Sequence, residues 1–85
     1  MLNIWTTDGY HSYSIRCEET GEKFIFAKEN VDSVKYVIDK YFREAGCKAW
    51  AFLPEWVCWE VDEKVWLNFL QTQLKKFTII PNWIA

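Results

Sequence analysis

Histidine occurs once, proline twice and glycine three times in these 85 residues, and the three cysteines show no Cys-x-x-Cys spacing. Each shortage closes a class of function. His11 with Cys17, Cys47 and Cys58 could in principle complete a Cys3His set for tetrahedral zinc, but none of the four has local ligand spacing, and reduced cysteine commonly serves as a small buried hydrophobe. Nucleophilic catalysis by a cysteine needs a base against the thiolate. His11 and Cys17 are six apart on a presumed strand, on one face but beyond hydrogen-bond reach. Three scattered glycines supply no phosphate cradle. The carboxylate pairs Glu60 with Asp62 and Glu18 with Glu22 could do acid–base work, yet such pairs are usually solvated. The expectation is no enzyme, no cofactor and no metal.

Charge of one sign is also lacking. The net charge is −2: residues 1–53 carry eight acids and seven bases, residues 54–63 four acids and no base, and residues 64–85 three lysines and no acid. No basic footprint for nucleic acid exists, and one short acidic cluster is too little for a mimic of DNA. The N-terminal MLNIWTTDGY lacks the positive region and apolar run of a signal peptide, and no stretch approaches the roughly eighteen apolar residues of a membrane span. An odd, unpatterned set of cysteines fits reduced thiols. The chain therefore reads as cytoplasmic, with neither nucleic acid nor membrane as partner.

Aromatic residues are what the sequence has in excess. Sixteen of 85, or 19%, are Phe, Trp or Tyr, six of them tryptophan. Each ring can bury roughly 150 to 250 Å², so the chain owns more apolar area than one small core readily hides. The stretch PEWVCWEVDEKVW, residues 54–66, sets three tryptophans among four of the acids.

Periodicity predicts a single α+β domain over residues 1–85, an antiparallel sheet of five or six strands in the order βββ-α-ββ-α-β, covered by two helices. Leu2–Thr6 and Tyr10–Cys17 flank Thr7-Asp8-Gly9, a hairpin signal, and after the turn EETGE comes a third strand, Lys23–Ala27. Asn30 is a candidate side-chain cap and Gly46 a left-handed stop for a first helix. Its apolar stripe of Val31, Val34, Val37, Ile38, Tyr41, Phe42 and Ala45 spans about 140°. From Pro54 two readings compete: one long helix, or a strand Trp56–Val61 followed by a helix capped at Asp62 and running from Glu63 to about Phe77. The strand is preferred because WVCWEV is rich in Trp and Val and the long helix would set Glu63 in its apolar row. The strand puts Val57, Trp59 and Val61 on one side and Trp56, Cys58 and Glu60 on the other. Helix two spreads its apolar residues over about 200°, which suggests a homodimer, and Thr78–Ile80 can add an edge strand before Pro81.

No residue motif ties the chain to a known family. In its shortness, aromatic content and want of motifs the chain resembles the small accessory proteins of phages and plasmids. The expected function is thus a non-enzymatic domain, an inhibitor or accessory factor of a mobile element, that blocks a surface of a larger host protein or protein complex, for example in a defence system. The candidate contacts are Trp56, Glu55, Glu60, Leu67 and Leu74. The alternative is an oligomer binding a small nucleotide-like ligand through Arg16, Lys23, Lys48 and Trp50. A base-stacking platform of Trp5, Trp50, Trp56 and Phe24–Phe26 would need a positive groove that this chain lacks.

Overall fold

The computed structural model describes residues 1–53, 55–77 and 79–80. Strands β1 (Leu2–Asp8), β2 (Ser12–Cys17) and β3 (Lys23–Ala27) come first, then helix α1 (Val31–Glu44). After them come β4 (Lys48–Leu53), β5 (Trp56–Val61), helix α2 (Glu63–Thr72) and β6 (Ile79–Ile80). All pairings are antiparallel, and the six-stranded sheet runs β4-β5-β1-β2-β3-β6. This is the α+β arrangement that the sequence pattern predicts.

Strand alternation sorts the side chains onto two faces. Ile4 lies opposite both Cys17 and Trp59, and Ile15 opposite Phe24. With Val61 and Phe26 these residues form the face on which both helices pack. From α1 that core receives Val34, Ile38 and Phe42, and from α2 it receives Trp66 and Phe69. The rings make one cluster, with Phe42 5.5 Å from Trp59 and 5.2 Å from Phe69, and Phe69 stacked on Trp66 at 5.7 Å. Burial of roughly 25 cal/mol per Å² of apolar area makes this layer the main source of stability.

Several local expectations shift, each for a physical reason. Asp8 belongs to β1 and pairs with Tyr13, so the hairpin turns at Gly9, Tyr10 and His11. Its carboxylate is held by the ammonium groups of Lys28 and Lys35, and its N–H donates to the Glu55 carbonyl at 2.9 Å, so residues distant in sequence pair it into the sheet. Asn30 makes no side-chain cap, because the single 3₁₀ turn Lys28–Asn30 runs directly into α1 and leaves Asn30 at φ −97°, ψ 0°. Gly46, at φ +81°, follows α1 as the left-handed residue expected there. Asp62 caps α2, its Oδ1 accepting from the Lys64 N–H at 2.9 Å.

Helix α2 stops at Thr72, and a 3₁₀ turn, Leu74–Lys76, follows. The change of winding rotates Leu74 into the core cluster. Val65, Leu70 and Phe77 pack against the same cluster, so the wide apolar arc is largely satisfied within the chain. Only Leu67 of this group remains well exposed. The homodimer argued from this arc loses its basis. Pro54, Thr78 and Pro81 lie outside the described residues.

Candidate protein-binding face

The helices cover one side of the sheet, so the residues that alternate away from them define the other. Reading across the strands from β3 to β4, the register lines up Lys23, Arg16, Trp5, Cys58 and Trp50 as one row. A neighbouring row holds Asn3, Glu60 and Lys48, and the row on the other flank holds Ile25, Ser14, Thr7 and Trp56. Directly opposed side chains on one face lie about 4.5 to 5.5 Å apart at Cβ. Three tryptophans therefore converge where β1, β5 and β4 meet.

A bulge lies between Ala51 and Leu53 of β4, where the register to β5 shifts. The inserted Phe52 reaches the helix-free side, its ring 5.2 Å from that of Trp5 and inclined by 33°. Trp50, Phe52, Leu53 and Trp56 are 53%, 62%, 53% and 48% exposed. All six residues of β4 are exposed, although the strand is extended and paired along one edge.

Carboxylates hold the rims of the rings. The Trp5 indole N–H donates to Glu18 Oε1 at 3.2 Å, and the Trp50 N–H donates to Glu60 Oε1 at 3.3 Å. Glu19 accepts from the backbone N–H of Asn3 at 2.8 Å, and these bonds hold its carboxyl below the usual carboxylate range. Beneath the rings, the Cys58 thiol is buried and 3.8 Å from Asn3 Oδ1. Burial pushes its pKa up, and Glu18, Glu60 and Glu19 add to that. A thiol in such surroundings is a poor nucleophile.

On the helix side, the small Ala49 and Ala51 leave an open cleft of about 470 Å³ between the β4–β5 edge and α1. Thr6, Tyr13, Val57 and Trp59 line its floor, with Lys35, Asp39 and Arg43 along α1. The charges along α1 are engaged, Lys35 with Asp8, and Arg43 with Asp39 at 2.8 Å while lying 5.6 Å over the Trp59 ring. Burial pushes the Tyr13 phenol up, so it stays protonated near neutrality. Among the described residues no group of three or more His, Cys, Asp and Glu side chains is placed to hold a metal ion. No helix among them is long and apolar enough to cross a membrane.

The sequence-predicted contacts are divided by this geometry. Trp56 and Glu60 share the helix-free face, and Trp50, Arg16, Lys23 and Lys48 of the alternative ligand set share it with them. Glu55 does not, because alternation sends it with Val57 and Trp59 to the helix side, where it lines the cleft. Leu67 sits on the helix layer, far in the fold from Trp56, and Leu74 is buried in the core and is not a surface contact. Of the base-stacking set that the charge argued against, Trp5, Trp50 and Trp56 belong to the face, whereas Phe24 and Phe26 turn inward. Phe52 and Leu53 are exposed apolar residues beside this face that sequence reasoning missed. The alternation of large residues with alanine in KAWAF was the available signal for Phe52. No family model, curated protein or solved structure matches this chain.

Proposed function

We propose that this chain is a non-enzymatic protein-binding domain that covers a surface of a larger protein with the helix-free, tryptophan-rich corner of its sheet. The observation that carries the reading is the group Trp50, Phe52, Leu53 and Trp56, each about half exposed, on two adjacent strands. At roughly half of 150 to 250 Å² per ring, three rings and a leucine expose about 300 to 450 Å², on the order of the largest apolar patch on a typical monomer. With the Trp50 N–H fixed by Glu60 and that of the neighbouring Trp5 by Glu18, the group has the apolar centre and polar rim of a preorganised hot spot. Such a domain acts by occlusion, as an inhibitor or accessory factor does.

A nucleotide-like ligand is the second reading, because Arg16 and Lys23 share a row with Trp5 and Trp50. Electrostatics favour the first. A phosphate on this face would meet Glu18, Glu19 and Glu60 as well as Arg16, Lys23 and Lys48, with no net positive field to hold it.

The test is affinity capture with wild-type protein and with Trp50→Ala, Trp56→Ala and Tyr36→Ala, the last on the exposed side of α1. A partner retained by wild type and Tyr36→Ala but lost by both tryptophan variants, all equally folded, is the expected outcome. Retention by all four removes the face from consideration. Saturable binding of a mononucleotide, abolished by Arg16→Ala, would support the second reading in its place.

A further inference from the structure

The two edges of the sheet are unequal. Among the described residues β6 covers two, Ile79 and Ile80, whereas β4 runs for six with Lys48 as its sole charge. Natural proteins blunt edge strands with shortness, charge, proline or bulges. β4 has two such guards, the charge of Lys48 at its start and the bulge after Ala51, and between them the ladder is regular.

The direction of its free backbone groups follows from the hydrogen bonds. In antiparallel pairs, directly opposed residues alternate between those that exchange N–H···O bonds and those that do not. The Asp8 N–H donates to the Glu55 carbonyl, so Glu55, and with it Val57, Trp59 and Val61, direct their backbone groups to β1. Trp56, Cys58 and Glu60 must then turn theirs to β4. Their hydrogen-bonded partners there are Trp50, opposite Cys58, and Lys48, opposite Glu60. The N–H and C=O groups of Ala49 and Ala51 therefore point away from the sheet.

We propose that two copies of this chain join by antiparallel pairing of β4 with β4 about a two-fold axis at Trp50. An isologous interface must be complementary to itself, and Ala49-Trp50-Ala51 reads the same from either end. In that register Ala49 of each copy lies opposite Ala51 of the other. Each strand offers two outward N–H and two outward C=O groups, and all are used. Trp50 meets Trp50 of the second copy at the closer, non-hydrogen-bonded site, where aromatic pairs contribute most. Lys48 falls beside Phe52 of the second copy and not beside another lysine. On the helix side the paired residues Ala49 and Ala51 bring only methyl groups together, and the two clefts adjoin. The pairing uses the strand edge, meets Trp50 from the side and joins the two aromatic faces into one surface, so it holds whether or not that surface takes another protein.

Sedimentation equilibrium of the full chain over about 1 to 200 μM, a range suited to a one-strand interface, tests the pairing first. The mass should rise from 10.2 kDa toward twice that value. A mass of 10.2 kDa throughout overturns the proposal. Ala51→Pro removes an outward N–H without touching the bonds to β5, a substitution that edge strands accept. It should stay monomeric with an unchanged far-ultraviolet spectrum, and a folded Ala51→Pro variant that still dimerises is fatal to the pairing. Amide exchange of the wild type gives an answer without mutation. Protection at Ala49 and Ala51 should rise with protein concentration, while Lys48 and Trp50 stay protected throughout. Equal exchange at Ala49 and Ala51 at both ends of the concentration range, in a protein that dimerises, would place the interface elsewhere and sink the proposal.

Discussion

Trp56 and Trp59 stand three residues apart on one strand and face opposite sides of the sheet. Trp59 is 4% exposed, packed on Phe42 beneath the Arg43 guanidinium, while Trp56 is 48% exposed beside β4. Their alanine variants should separate accordingly. Trp59→Ala empties a core site and should destabilise by about 3 to 5 kcal/mol. Trp56→Ala should change stability by less than about 1 kcal/mol, as surface substitutions do. Denaturant titration of both decides it, and equal losses would make Trp56 a core residue.

Trp66 is 1% exposed, and its indole N–H has no hydrogen-bond partner among the described residues. An orphaned buried donor costs about 1 to 3 kcal/mol. Phenylalanine removes that donor and keeps most of the ring contact with Phe69 and Phe24. Trp66→Phe should therefore lose no more than about 1 kcal/mol, against about 3 to 5 for Trp66→Ala. A Trp66→Phe loss as large as that of Trp66→Ala would show that the N–H is satisfied in solution.

Asp8 links the first hairpin to the 3₁₀ turn through Lys28 and to α1 through Lys35, and their ammonium groups hold its carboxyl below the usual range. A carboxylate whose folded pKa is depressed contributes fully above its unfolded value of about 3.9, and that contribution is lost as pH falls through the folded pKa. Melting temperatures of wild type and Asp8→Asn should differ most near neutrality and converge in acid below about pH 4. A gap that stays constant down to about pH 2 would mean that the pairs add nothing to folding.

The pattern of the sequence carried the strand WVCWEV and its two faces, because alternation and the Asp62 cap are both local signals. It carried the sheet and helix order for the same reason. What it could not carry depends on residues distant in the chain. The hairpin turn falls later because Asp8 pairs with Tyr13 and donates its N–H to Glu55, far along the chain, with Lys28 and Lys35 on its carboxylate. Helix α2 ends at Thr72 although no glycine or proline lies between Glu63 and Phe77, and the gain there is the burial of Leu74 against the sheet. Glu55 was placed beside Trp56 by adjacency in sequence, whereas in a strand adjacent residues point apart. The candidate face was half legible: its tryptophans stand out in composition, but which of them meet depends on β1 lying between β5 and β2.

Cys58 is a reporter of the aromatic face. It lies between Trp5 and Trp50 in one cross-strand row and is buried on a side that no described helix covers, so the rings on either side must shield it. Its raised pKa leaves little thiolate at pH 8, and both effects slow alkylation. Trp50→Ala removes one shield and leaves the Cys58 backbone bonded within the sheet. Iodoacetamide labelling, read peptide by peptide in dilute protein, should accelerate at Cys58 by roughly tenfold or more, since access and thiolate fraction rise together. Cys17, buried on the helix side, should be unaffected. Parallel acceleration at Cys17 would mean that the substitution loosens the whole domain, and no acceleration at Cys58 would mean that Trp50 does not lie over the thiol.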